Sequence, residues 1–208
     1  MLIDLPTLVR ILATHKITVK GVLHIGAHEC EERPFYNYML HVSDENILWV
    51  DGNAKKVDEM KASGIHVECA VLDETEREVE FNITDNSQAS SLLKLNHEKG
   101  FYKDIHIIEK RKCTTEKLNT FMKRIGKKSE DYNFWNLDIQ GSELNVLRGS
   151  QELLVNCDAL YTEVNRDHVY KDCGLVTELD DLLKRYGFTR VETLWTNLQW
   201  GDALYLKI

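Results

Sequence analysis

The feature that most constrains this chain is an alternation of short β-rich apolar runs with longer segments whose apolar residues recur at helical spacing. Strands are expected near residues 20–26, 46–51, 65–71, 133–138 and 158–164, where β-branched and aromatic residues concentrate. Helical spacing and helix-forming composition occupy 31–40, 54–62, 115–125 and 142–154 between them. A chain that alternates in this way folds as βαβ units around a mostly parallel sheet, because each crossover helix covers a sheet face. Residues 1–15 add a helix before the first strand, with Leu8, Ile11 and Leu12 on one face. At 208 residues the chain has the size of one domain, so 1–208 is expected to form a single unit. Residues 1–18 are its helical cap and 20–208 its core.

Two segments break the alternation. Residues 77–84 alternate polar and apolar like an added strand, and 85–91 form a polar loop of turn residues. Residues 187–208 carry two β-type runs around Thr196 and Asn197, which predicts an antiparallel terminal hairpin. Charge narrows the partners: a formal net charge of −8 disfavours broad contact with nucleic-acid phosphates. Five cysteines without a CxxC pair fit reduced thiols, hence a cytoplasmic setting. No run of about 18 apolar residues is present, so no membrane span is expected.

In an open parallel sheet, ligands bind beyond the carboxyl ends of the strands, which makes the residues just after each strand the first candidates. Gly26 follows the first strand, and Ala27 and His28 complete the turn. The second strand ends at Asp51, where a carboxylate can accept both hydrogen bonds of a ribose diol; Gly52 and Asn53 follow it. Glycine turn and acidic strand end together imply a nucleoside-bearing cofactor. A dinucleotide would want GxGxxG for its pyrophosphate. Glu29, Glu31 and Glu32 stand there instead and would repel a pyrophosphate, whereas a cationic sulfonium suffers no such penalty, which favours S-adenosylmethionine.

The most informative stretch runs from Phe134 to Gly149, FWNLDIQGSELNVLRG, in which a strand ends at Asp138 and a turn leads into a helix. It resembles the (K/N)xDxEGxExxVLxG signature of the FkbM-type methyltransferases, and residues 22–32 are similar to their first motif, DxGAHxGE. Asp51-Gly52-Asn53, Ala70-Val71-Leu72-Asp73, Ser90-Ser91-Leu92 and Leu160-Tyr161-Thr162-Glu163-Val164-Asn165 follow in the family's order, so the likeness spans 20 to about 165. The resemblance implies the class I methyltransferase (Rossmann-like) α/β fold, with helices on both faces of the sheet and a reversed terminal strand. It also implies methylation of a hydroxyl on a sugar, glycan or related small molecule. His24 stands where the family usually has Asp, Cys30 where it often has Gly, and Gln140 where it usually has Glu.

The cofactor-binding set read from the sequence is His24, Gly26, Ala27, His28, Asp51, Gly52, Asn53, Ala70, Val71 and Asp138. A hydroxyl needs help in losing its proton, so a general base is expected. Asp138 and Glu163 end adjacent strands, and either can serve; His168 follows nearby. No metal is assigned, although Asp138, Glu163 and Asn165 offer oxygen ligands of the type a hard cation takes. Lys110-Arg111-Lys112 reads as solvated surface, and Trp195 and Trp200 flank the hairpin. Two other readings share this fold: an NAD(P)-dependent oxidoreductase, and a nucleoside-binding module without catalysis.

Overall fold

The computed structural model describes residues 1–100 and 102–208. Helix α1 (Leu5–Thr14) opens the chain, capped by Asp4, whose Oδ1 accepts the Thr7 N–H. Then come β1 (Val22–Ile25), α2 (Arg33–Tyr38), β2 (Ile47–Asp51), α3 (Ala54–Ala62) and β3 (Val67–Cys69). Pro34 in the first turn of α2 and Asn53 as the cap of α3 start those helices where sequence chemistry favours it. Short β4 (Val71–Leu72) leads to β5 (Glu78–Thr84), β6 (Ile107–Glu116) and α4 (Leu118–Arg124). The last stretch holds β7 (Phe134–Leu137), α5 (Glu143–Gly149), β8 (Ala159–Asn165), α6 (Val176–Lys184), β9 (Phe188–Trp195) and β10 (Trp200–Lys207).

Among the described residues the main sheet has seven strands in the order β3-β2-β1-β7-β8-β10-β9. The first five run parallel, and β10 lies antiparallel to both β8 and β9. This is the class I methyltransferase arrangement: an α/β sheet, mostly parallel, closed by the antiparallel hairpin. Its two faces carry separate cores. Leu23, Ile25, Trp135 and Leu137 pack on one side with Phe121 of α4, Leu147 of α5 and Leu183 of α6. Val22, Trp49, Phe134 and Tyr161 pack on the other with Leu8 of α1, Tyr36 of α2 and Val57 of α3. The chain order reverses at β1: β2 and β3 lie to one side, β7 and β8 to the other. The gap between β1 and β7 is therefore the switch point at which ligands bind.

Three expectations need correction. The segment 115–125 was expected to be helical throughout, yet Thr115 and Glu116 belong to β6 and α4 begins at Leu118. Thr115 is fully buried, and its Oγ1 donates to the Thr75 carbonyl at 2.6 Å, which suits a β-branched residue in a strand. The basic run 110–112 lies within β6, antiparallel to β5, and Lys110 pairs with Glu80 at 3.0 Å. Arg111 is half-buried and donates to the Gly52 carbonyl, so it is not simple solvated surface. The helix expected over 142–154 ends at Gly149 and continues as a 3-10 turn over Gln151–Asn156. Helix α6 was not anticipated, although Val176, Leu179, Leu182 and Leu183 bury one face of it.

Candidate functional site

The turn after β1 is held by backbone. Gly26 and Ala27 both donate to the Val50 carbonyl, at 2.8 and 3.0 Å, and Asp138 donates its N–H to the Ile25 carbonyl at 2.9 Å. These bonds press the loops after β1 and β7 together. Gly26 has φ +95°, and a Cβ there would lie 1.8 Å from the Asp138 carbonyl oxygen, so no other residue fits. The loops diverge above this crossing and leave a cleft of about 460 Å³, a volume ordinary for a small-molecule site.

At one end of the cleft Asp51 is 9% exposed. Its Oδ2 accepts the His28 N–H at 2.8 Å and its Oδ1 the Asn53 N–H at 2.6 Å, which fixes the carboxylate while each oxygen keeps a further lone pair. Burial raises its pKa, and the two N–H bonds oppose that rise. Ala70, Val71, Leu72 and Phe81 make an apolar wall beside it. Gly52 completes that wall by close approach: a Cβ there would meet the Phe81 ring at 2.9 Å, and Arg111 holds its carbonyl from below. His28 spans the rim, its Nδ1 2.8 Å from Glu31 Oε1 and its Nε2 2.9 Å from Ser87 Oγ. The bond to Glu31 raises the His28 pKa.

The floor under the switch point is polar. His24 is 2% exposed, lies against Trp49 at 4.8 Å between ring centroids, and sits 3.1 Å from the Tyr36 hydroxyl through Nδ1. Asn136 Nδ2 donates to the same hydroxyl at 2.7 Å. Tyr36 thus turns its proton toward His24 Nδ1, which leaves the hydrogen of a neutral imidazole on Nε2. Desolvation lowers the His24 pKa and keeps the ring neutral.

The other end is acidic. The register Leu137↔Thr162 sets Asp138 beside Glu163, and Asp202↔Glu163 brings a third acid from β10. Gln140, at φ +57°, reaches back with Nε2 2.6 Å from Asp138 Oδ1 and 3.0 Å from Glu163 Oε2. Tyr170 donates to Gln140 Oε1 at 2.6 Å and so sets which way the amide faces. Asp138 is open to the water of the cleft and walled on its other sides; lost hydration, then Asp202, push its pKa up to about 6. Glu163, 5% exposed and behind Gln140, is raised well above the carboxylate range by burial and then by Asp138. Asp202 accepts from the Tyr161 hydroxyl and, at 2.6 Å, from the Leu2 N–H. Tyr102, Ile105, Leu92 and Trp200 add apolar and aromatic lining to the cleft.

Of the residues named from sequence, His24, Gly26, His28, Asp51, Gly52, Asn53, Ala70, Val71 and Asp138 line the cleft. Ala27 is buried beneath it, and Glu163 reaches it only through Gln140. His168 does not line it; its Nδ1 lies 3.0 Å from the Cys173 carbonyl and ties the loop after β8. Asn165, 1% exposed, is also outside the lining, and the space between Asp138 and Glu163 that a hard cation would need holds the Gln140 amide. Among the described residues, His28, Glu29 and Glu31 bring ligand atoms within 4.8 Å of one another, but Lys56 binds Glu29 at 2.6 Å. Sequence reasoning missed Asp202, Phe81 and Tyr102. Asp202 carried a signal, an acid inside the apolar run Ala203-Leu204-Tyr205-Leu206 and its neighbours.

A family model described as the methyltransferase FkbM domain matches residues 24–190. Among solved structures, a magnesium protoporphyrin IX methyltransferase from Synechocystis PCC 6803, with bound SAM, is similar at TM-score 0.45 and 11% identity, over 98% of this chain and 78% of that one. The plantazolicin methyltransferase in complex with SAH is similar at TM-score 0.49 and 12% identity, over 98% and 82%. A Streptococcus pneumoniae protein described as a putative tRNA (m1A22) methyltransferase gives TM-score 0.46 and 11% identity, over 95% and 69%. No curated protein matches the chain.

Proposed function

The chain belongs to the FkbM methyltransferase family, and from that premise we propose that it moves a methyl group from S-adenosylmethionine to a hydroxyl of a sugar, glycan or related small molecule. The observation that carries this reading is the division of the cleft. One end offers a fixed carboxylate, Asp51, beside an apolar wall; the other gathers carboxylates at the switch point, with no unpaired Lys or Arg lining the cleft among the described residues. When bound, the donor supplies an electrophilic methyl on a sulfonium.

The protein's own tasks are to align, to exclude water and to take a proton. Asp51 accepts from the ribose hydroxyls, while Ala70, Val71 and Phe81 cover the adenine. Gly26 leaves room over the β1 turn, and His24 and His28 border the methionine end. The buried Ser142 hydroxyl lines the cleft without a hydrogen-bond partner and is available there. Asp138 takes the hydroxyl proton as the oxygen–methyl bond forms and the sulfur–methyl bond breaks. Gln140 positions Asp138 and screens it from Glu163, whose pKa burial and the neighbouring Asp138 raise well above the carboxylate range and which serves as structure. Neutral Gln140 in place of a carboxylate lowers the repulsion that a second ionised acid would add beside Asp138.

Incubation with isotopically labelled S-adenosylmethionine and a panel of sugars and hydroxylated small molecules, read by mass spectrometry, tests the reading. A product with one added labelled methyl on oxygen is expected. Label on nitrogen or carbon only, or binding of the cofactor with no product from any hydroxyl compound, would overturn the O-methyl assignment.

A further inference from the structure

The acceptor end of the cleft is selective by charge as well as by shape. Asp202 is 5% exposed and lines the cleft, and both hydrogen bonds it receives, from Tyr161 and Leu2, fall on Oδ2. Oδ1 accepts none from a described residue. With no described protein donor on it and water able to reach it, Oδ1 is placed to accept a hydrogen bond from a ligand donor in the cleft. Asp202 stands on β10, four places along the sheet from the β2 end that carries Asp51. Strands lie about 4.8 Å apart, so β10, two places from β7, stands roughly 10 Å beyond the switch point where the methyl is delivered.

The surroundings set the sign of that partner. Asp138, Asp202 and Glu32 face this part of the cleft. The Met1 ammonium lies 3.4 Å from Glu32 and also acts on Asp202 at longer range, and Lys56 at the far rim is taken by Glu29 and Glu59. Among the described residues, no lining Lys or Arg is left for a phosphate or carboxylate on the acceptor. Trp200, two residues before Asp202 on β10, and Tyr102 also line the cleft, and aromatic rings of this kind suit the C–H face of a pyranose.

Resting on the methyltransferase reading above, we propose that the acceptor is an amine-bearing hydroxyl compound of the amino-sugar class, whose ammonium pairs with Asp202 while its hydroxyl faces Asp138. Phosphorylated sugars and nucleic acid are rejected by the same carboxylates.

The test uses the whole chain saturated with S-adenosylmethionine and three sets of probes: glucosamine and galactosamine, their N-acetyl forms, and their 6-phosphates. The free amino sugars should be methylated on a hydroxyl, and N-acetylation, which removes the charge but keeps every hydroxyl, should lower kcat/KM by about 10- to 100-fold. The phosphates should give no product. In Asp202→Asn the preference for amine over N-acetyl should fall to about unity while affinity for S-adenosylhomocysteine holds, which also shows that the variant is folded. N-acetyl or phosphorylated sugars turning over as well as the amines, an unchanged ratio in Asp202→Asn, or no product and no binding of any amino sugar to the S-adenosylhomocysteine complex would each overturn the proposal. Loss of cofactor binding in the wild type would instead remove the reading beneath it.

Discussion

Asp138 meets two demands that pull its pKa in opposite directions. Lost hydration on the sides turned to the protein and the neighbouring Asp202 raise it to about 6, while the Gln140 amide and its opening onto the cleft water hold it down. As the proton acceptor it must be ionised, so kcat/KM should fall as pH drops through about 6 and level off above about 7. Asp138→Asn should lose roughly 10²- to 10⁴-fold in kcat with cofactor affinity changed far less. A flat rate profile between about pH 5 and about pH 8 would move the role elsewhere. The candidates Asp138 and Glu163 were both legible in the sequence, because strand ends in an α/β sheet face the ligand. Their difference was not. It depends on Gln140, whose left-handed backbone turns its amide between the two acids, and a single turn residue's φ is not written in the spacing of the motif.

At the scale of elements, the crossing of the loops after β1 and β7 determines whether a cleft forms at all. Gly26→Ala would drive a methyl group into the Asp138 carbonyl at a φ that L residues rarely adopt. A cost of about 2–4 kcal/mol is expected, with cofactor binding lost even where the fold survives. Urea denaturation beside cofactor titration would show it, and a stable variant with wild-type affinity would contradict the crossing as the organising contact. The strands of the main sheet were readable because buried parallel strands are near-continuous apolar runs. Strand β6 was not, since most of its residues are exposed on a ribbon beside the sheet and its basic run 110–112 reads as solvated surface. Helix α6 was overlooked despite a clear apolar stripe at 176, 179, 182 and 183.

For the whole molecule, the concentration of acids at one end of the sheet has a cost in stability. Glu143 is 2% exposed, accepts the Ile139 and Gly141 N–H groups at 2.9 and 3.2 Å, and is raised to about 7 chiefly by burial. A carboxyl with a raised folded pKa binds more protons when folded than when unfolded, so stability falls as pH rises from the ordinary 4.5 through about 7. Asp138 adds the same sign from 3.8 to about 6, and buried His24, with its lowered pKa, opposes both below about 6.5. Glu143→Gln should therefore flatten the loss of urea midpoint between about pH 5 and about pH 8; an unchanged or steeper slope would place the acid effect elsewhere. No helix among the described residues is long and apolar enough to cross a membrane.

The central claim, that the cleft over β1 and β2 is built for a cationic methyl donor held through Asp51, is tested most directly by calorimetric titration of S-adenosylmethionine, with NAD as the comparator. The account predicts one site in the wild type, affinity about 10- to 100-fold weaker in Asp51→Ala, and no heat with NAD. Equal affinity in the two proteins, no binding to either, or a preference for NAD would contradict it.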